Sequence, residues 1–182
     1  MKAYPKLIPP RLAVANIVYR KEVRKWAALS KSNRLYLLAH CADSFQFFVS
    51  TFGFVIEPRV GKDTSPLLPF IPWPTQLKFF DAMQECAGKR DLLVSKARGE
   101  GATYSFIYFF IWVWLFSKDI RLLGMSSRSM DVADSPGDPD SLGCKIDFAL
   151  ERLPKWMIGE KDKHFIRNIS KHYCLNIDTG SS

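Results

Sequence analysis

Residues 96–103 have the residue types and spacing of a phosphate-binding loop. The octet matches the pattern Gly-x-x-x-x-Gly-Lys-Ser/Thr only in part. Gly101 holds the second glycine position and Thr103 the hydroxyl position, whereas Ala102 stands where the lysine is usual. A lysine, Lys96, stands at the first position instead. A loop of this kind binds anionic oxygens through its backbone N–H groups and through the N-terminus of the following helix.

The octet therefore predicts a nucleotide-phosphate site. In this interpretation Thr103 binds the magnesium ion, and Lys96 or Arg98 neutralises phosphate charge. The residues that we expect to contact the nucleotide are Lys96, Ala97, Arg98, Gly99, Glu100, Gly101, Ala102 and Thr103. A short basic and glycine-rich segment also forms ordinary turns, so a plain turn stays the alternative.

The segments on either side of the octet are typical of a phosphate loop. An apolar run at 92–94 indicates a buried strand over about 91–95. The stretch 104–116 is apolar apart from Ser105 and predicts a helix from about 102 to 117. Strand, tight loop and helix in this order are the structural context that such a motif needs.

A second candidate contact lies about 20 residues upstream. Pro74 suits the first position of a helix, which we expect to run to about residue 87. Gln76 follows it, and its amide has one donor group and one acceptor that could read the edge of an adenine. A surface glutamine at the start of a helix is the alternative.

Four segments of the chain, taken in order, carry a resemblance to a known family. They are 47–54 with 57–59, 68–76, 96–103, and 127–128 with 137–142 and 153–154. Together they resemble the large subunit of tailed-bacteriophage terminases, the ATP-driven motor that packages viral DNA. The first segment resembles the one that leads into that family's ATPase core, and the second resembles its adenine-sensing stretch. The third resembles its deviant phosphate loop, and the fourth resembles the stretch after its second core strand.

The resemblance covers about residues 40–182 and implies an α/β fold with a three-layer, P-loop NTPase-like core and additional N-terminal helices. Strands 91–95 and 120–126 would be parallel neighbours in that core. The implied domains are a basic helical arm over 1–40 and a partial P-loop ATPase domain over 41–182. The implied cofactors are ATP and Mg²⁺. The implied partners are double-stranded DNA, the terminase small subunit, the portal protein of the procapsid and further copies of the chain, in the host cytoplasm.

Two departures from the family bear on catalysis. Gly99-Glu100 stands where an Asp or Gln and a larger apolar residue are usual. The acidic strand that should end in Asp-Glu, for magnesium and for water activation, has one weak candidate, 174–178, which ends in Asp178 followed by Thr179. We expect that strand beyond this chain, and therefore an exposed apolar surface near the C-terminal strands. Arg128 could sense a phosphate, although a surface arginine is the favoured interpretation.

We therefore expect no enzymatic ATP hydrolysis from this chain alone. A non-catalytic module that binds nucleotide or DNA is the first alternative function. An interaction protein without nucleotide binding is the second.

Net charge and composition bear on whether the protein contacts DNA, binds zinc or inserts into a membrane. The net charge is +8, and residues 1–34 account for all of it, with nine basic residues against one acidic residue. This basic segment could contact DNA phosphates or could be a solvated helix face. Four widely spaced cysteines and three histidines make a zinc site improbable. The apolar stretch 104–116 has 13 residues, short of the ~20 that span a membrane, so we expect a buried helix and no membrane role.

The remaining elements follow from periodicity and capping residues. Asp138 suits an N-cap, with Pro139 at the first helical position and a helix that stops before Pro154. The other predicted elements are helices over 11–29, from about 32, within 41–52 and from about 129, an extended piece ending at Pro58, and strands over 163–168 and 172–177.

Overall fold

The computed structural model describes residues 7–57, 65–97, 99–117, 119, 122–159, 163–168 and 172–182. The chain divides into two compact units, Met1–Trp73 and Pro74–Ser182. The fold is mixed α/β, as the sequence indicates. The division at residue 40 into an arm and an ATPase part concerns function and stays a prediction.

The described residues of the first unit form three helices and a small sheet: α1 Ala13–Leu29, α2 Lys31–Asp43, α3 Phe45–Phe52, β1 Phe54–Ile56 and β2 Leu67–Pro69. Serines begin the second and third helices, because Ser30 accepts the N–H of Asn33 and Ser44 accepts the N–H of Phe47, each at 3.1 Å. β1 and β2 pair antiparallel, with Phe54 opposite Pro69. The predicted helices in this part of the chain are confirmed, and Pro58 lies outside the described residues.

A buried arginine holds the first unit together. Arg20 of α1 is 3 % exposed. Its guanidinium donates to the carbonyl oxygens of Gly53 at 2.6 Å and Ser50 at 2.7 Å. It also donates to the side chain of Asn16, which is fully buried. The last carbonyls of a helix need such donors, so Arg20 completes the C-terminal end of α3 and fixes α1 against it.

The burial of Arg20 corrects one sequence interpretation. Apolar residues recur every three or four positions in this helix and predict one buried stripe of Leu12, Ala15, Tyr19, Val23 and Trp26. Leu12 and Ala15 are exposed instead. The buried face of α1 instead consists of Asn16, Arg20, Val23, Trp26 and Ala27. Polar side chains occupy its first half because they bind backbone carbonyl groups there.

In the part of the second unit that the structure describes there are five helices and a second small sheet: α4 Pro74–Cys86, α5 Ala102–Phe116, α6 Met130–Ala133, α7 Leu142–Arg152, α8 Lys155–Ile158, β3 Phe165–Asn168 and β4 Tyr173–Asn176. α5 is its centre. Ile107 and Tyr108 are fully buried, and Trp114 is 5 % exposed. A helix that is apolar on all sides belongs in a core, and this burial confirms the expectation for 104–116. No helix in the described part of the chain is long and apolar enough to cross a membrane.

The two predicted core strands are wrong where the structure describes them. Residues 91–97 and 122–127 have no regular secondary structure, and Leu93 is 97 % exposed. A buried strand needs a hydrogen-bonded neighbour, but both sheets among the described residues are two-stranded and antiparallel, and neither includes these segments. Leu123 instead donates its N–H to the carbonyl of Ser182 at 2.7 Å. Residues 120 and 121 lie outside the described residues.

The start of α7 is a smaller correction. The helix begins at Leu142 and not at Pro139, because Ser141 is the N-cap and accepts the N–H of Cys144 at 3.2 Å. Asp138 binds the N–H of Asp140 at 2.9 Å and so forms a local turn before the helix. The two C-terminal strands are confirmed as an antiparallel pair.

An ionic cluster joins the small sheet to the helices. Arg167 of β3 donates to Asp134 at 2.7 Å and to Asp147 at 2.9 Å, and His172 contacts Asp134 at 3.0 Å. Burial by itself raises the pKa of Asp134, but the hydrogen bonds from Arg167 and His172 outweigh it, so this pKa is lowered. Gly143 of α7 lies against the same carboxylate, since a Cβ there would be 1.8 Å from its oxygen.

We expect Arg20→Met to lower the free energy of unfolding by about 3 kcal/mol, because buried carbonyl groups lose their donor at about 1–3 kcal/mol each. Lys21→Met is the matched control on the exposed face of α1, with an expected effect within about 0.5 kcal/mol. Urea denaturation followed by circular dichroism measures both. Equal effects of the two variants would show that Arg20 does not hold the unit together.

Asp134→Asn should destabilise the protein by about 2 kcal/mol at pH 7, as the loss of a charged hydrogen bond predicts. Because the folded pKa is lowered, this contribution is complete above the unfolded pKa of about 3.9 and disappears as the pH falls through the folded value. The difference from the unsubstituted protein should therefore shrink below pH ~4. The control is Asp140→Asn, whose side chain is 100 % exposed. A difference that stays constant down to the acid limit would contradict this role of Asp134.

Candidate functional site

The described part of the 96–103 octet leads directly into α5. Lys96 and Ala97 are exposed and have no regular structure, and Arg98 lies outside the described residues. Gly99 and Glu100 are exposed, and Thr103 is exposed in the first turn of α5. Ala102, the first residue of that helix, is 9 % exposed. The loop-to-helix part of the predicted arrangement is therefore present, while the strand before it is not.

Two glycines give the octet its shape. Gly99 has a φ of 89° and Gly101 a φ of 70°, both in the region that favours glycine. Gly101 is the N-cap of α5 and makes no side-chain capping bond. Its carbonyl accepts the N–H and the hydroxyl of Ser105, each at 3.1 Å. The first N–H groups of α5 therefore receive no side-chain cap from their N-cap residue, and an anion could satisfy them.

The structure brings Gln76 to the octet. This residue of α4 is 8 % exposed, and its Nε2 donates to the carbonyl oxygen of Glu100 at 3.0 Å. A Cβ on Gly101 would lie 2.6 Å from the same Nε2. The predicted adenine contact is thus a buried side chain that fixes the backbone of the octet, with its amide donor directed at the loop. Phe79 and Phe106 pack edge to face at 5.0 Å and join the two helices beside it.

The other candidate residues lie apart from this arrangement. Arg128 is exposed. Asp178 is exposed in the turn after β4, where its carboxylate contacts His164 at 3.0 Å. The candidate acidic segment 174–178 overlaps β4, which pairs antiparallel with β3. Among the described residues no cluster of His, Cys, Asp and Glu has the form of a metal site.

Sequence reasoning did not identify the cluster of Asp134, Arg167 and His172. Its members are separated along the chain by up to 38 residues, and no local spacing connects them. A weak signal was available: in the predicted strand at 163–168, Arg167 directly follows the apolar pair Phe165-Ile166, and an arginine that such a strand buries needs a carboxylate. The exposed apolar residues expected near the C-terminal strands are present, with Leu122 82 % and Ile177 44 % exposed.

Gln76→Glu should loosen the octet, because it places a carboxylate oxygen against the carbonyl of Glu100 at nearly unchanged shape. We expect a loss of about 1–3 kcal/mol in the free energy of unfolding. Amide hydrogen exchange should also become faster over residues 99–105. The control is Gln84→Glu on the same helix. The side chain of Gln84 donates to the carbonyl oxygen of Phe80, within its own helix, at 3.3 Å. Unchanged exchange over 99–105 would argue against Gln76 as the support of the loop.

No protein-family model matches this chain, and neither the curated proteins nor the solved structures contain a significant match to it.

Proposed function

We propose that the 96–103 octet binds the phosphates of ATP with Mg²⁺, as part of an ATPase domain of the terminase large-subunit type. The observation that carries the proposal is the arrangement at the start of α5. Two glycines at positive φ lead into a helix N-terminus without a side-chain cap, and Gln76 holds the loop from a neighbouring helix. The partial positive charge of such a helix end favours a phosphate oxygen.

Three side chains of the octet have a definite role in this proposal. Lys96 supplies positive charge at the start of the loop, and the Thr103 hydroxyl is a ligand for the magnesium ion that accompanies the nucleotide. Bound Mg²⁺ would neutralise phosphate charge. Glu100 opposes binding, since its exposed carboxylate repels the anion. Its backbone carbonyl is nonetheless needed, because it receives the hydrogen bond from Gln76.

The proposal concerns binding, and hydrolysis is not part of it. Phosphoryl transfer needs a residue that orients the attacking water as well as charge stabilisation. Asp178 is the one acidic candidate from the sequence, and it contacts His164 in a turn beyond β4. The packaging of double-stranded DNA, and the assembly with a small subunit and a procapsid portal, are proposals that rest on the resemblance alone.

Lys96→Ala should weaken MgATP binding by about tenfold or more, since a hydrogen bond to a charged group contributes about 1.5–3 kcal/mol. Glu100→Gln should strengthen it at low salt, because it removes a repelling charge and leaves the backbone contact in place. Lys89→Ala, at another exposed lysine of the same unit, is the control and should change nothing. Calorimetric titration of the 182-residue protein measures all three affinities.

The opposite signs of the two octet variants separate a specific phosphate site from general attraction of ATP to a basic protein. If Lys96→Ala and Lys89→Ala weaken binding equally, the octet is not the site. If the unsubstituted protein does not bind MgATP at all, the octet is a plain turn. That result would support the alternative of an interaction protein without nucleotide binding. Phosphate release lost on Thr103→Ala would show that a general base exists which the proposal lacks.

A further inference from the structure

A cavity of about 600 Å³ lies within the Pro74–Ser182 unit, away from the octet. Its walls come from α5, α7, β4 and the segment 122–133. Most of the lining side chains are apolar, and several are aromatic. The large apolar and aromatic side chains of the lining include Phe110, Trp114, Leu122, Met130, Ile146 and Tyr173. Small-molecule sites have this composition and measure about 300–1,000 Å³.

The rim of the cavity exposes apolar surface. Leu122 is 82 % exposed, Met130 57 % and Tyr173 37 %. Single exposed apolar residues are common, but these three line one concave site. Covering them would stabilise the complex, because it would remove apolar surface from water. The walls therefore favour a largely apolar occupant.

One part of the lining is polar and highly organised. Asp134, Arg167 and His172 belong to the lining, and they are joined by the contacts of 2.7 Å and 3.0 Å described above. His172 is also held at a φ of 55°, a backbone conformation that residues other than glycine seldom adopt. An ordered polar group beside apolar walls is what fixes the orientation of a bound ligand.

The charge of this polar part excludes one class of ligand. Arg167 contributes +1, and its partners Asp134 and Asp147 contribute −2. The sum is −1 with a neutral His172 and 0 with a protonated one. Asp147 does not line the cavity, but it pairs with Arg167 at 2.9 Å, so these four residues together are not positive in either state and an anionic head group gains no net attraction there.

We propose that this cavity binds a neutral, largely apolar small molecule with one hydrogen-bonding group, the apolar body lying against α5 and α7 and the polar group facing the Asp134–Arg167–His172 cluster. None of the described residues of the octet, 96–97 and 99–103, lines the cavity. The inference is therefore independent of the proposed nucleotide site, and the two can fail separately.

A matched pair of fluorescent probes tests the ligand class. N-Phenyl-1-naphthylamine is neutral and apolar with one N–H group, and 8-anilinonaphthalene-1-sulfonate is its close anionic relative. The neutral probe should bind saturably with one molecule per chain, about tenfold more tightly than the anionic one. Equal affinities would overturn the assignment of a neutral ligand. Several neutral probe molecules per chain, or none, would overturn the site.

Two tryptophan variants on α7 locate the probe. Ile146→Trp fills the cavity and should weaken binding of the neutral probe by about tenfold or more. Leu142→Trp changes the same helix at a residue that does not line the cavity, and it should leave binding within about twofold. Equal binding by both variants, with their folds checked by circular dichroism, would overturn the location.

Alkylation of the unsubstituted protein gives a test that does not depend on a variant. Cys174 lines the cavity and Cys144 does not, and both are partly exposed. The bound neutral probe should slow the reaction of Cys174 with N-ethylmaleimide several-fold and leave Cys144 unchanged, as measured by peptide mass spectrometry. Equal slowing at the two thiols, or none at Cys174, would overturn the proposal.

Discussion

The burial of α5 is the constraint on which the Pro74–Ser182 unit depends. The helix is apolar on nearly every side, so it must be covered all round, and each fully buried large side chain contributes about 1.5–3 kcal/mol. Phe106 packs on Phe79 of α4, and Trp114 packs on Phe165 of β3 at 6.0 Å. The positions of α4 and of the small sheet follow from the need to cover this one helix.

Hydrogen bonds hold both ends of α5. Near the C-terminus of α5, the carbonyl oxygen of Trp114 accepts hydrogen bonds from the side-chain amide of Asn176 at 3.0 Å and from the hydroxyl of Thr179 at 3.2 Å. The indole N–H of Trp114 donates to the carbonyl oxygen of Cys174 at 3.1 Å. These bonds satisfy a carbonyl that the helix itself leaves without a partner, and they attach β4. At the other end Gly101 begins the helix with no side-chain cap, and the octet that precedes it is held by Gln76. The two ends thus differ: one is closed by protein groups, and the other can accept an anion.

Helices were predictable from this sequence because their signals are local. Pro74 marks the start of α4, and the apolar stretch 104–116 marks α5. The strand over 91–95 was predicted wrongly because a run of three apolar residues is consistent with a strand but does not supply the neighbour that a strand needs. The partner of a strand can lie far away in the sequence, where a local pattern does not reveal it, whereas the correctly predicted strands β3 and β4 are neighbours along the chain. The mixed α/β class was therefore predictable, whereas the described residues do not show the predicted three-layer core.

The candidate site was predictable to the same limited extent. The octet and Gln76 were identified from residue types, and the structure joins them through one hydrogen bond across 24 residues. Arg20 was counted as a charge of a basic arm, although it is buried against three carbonyls. Its partner Asn16 stands four residues earlier, and a polar pair at this helical spacing on an otherwise apolar face is the signal that identifies a buried arginine.

The octet and the cavity share α5 but are separated along it. Phe110 is the first residue of α5 that lines the cavity, eight residues after Ala102 and therefore about 12 Å along the axis. A ligand at the helix N-terminus and one in the cavity need not touch. Coupling between them would require α5 to move as a body, and the bonds from Asn176 and Thr179 to Trp114 oppose such a movement. Since a coupling free energy needs an element with two arrangements, and hydrogen bonds hold α5 near both ends, we expect the two proposed sites to act independently.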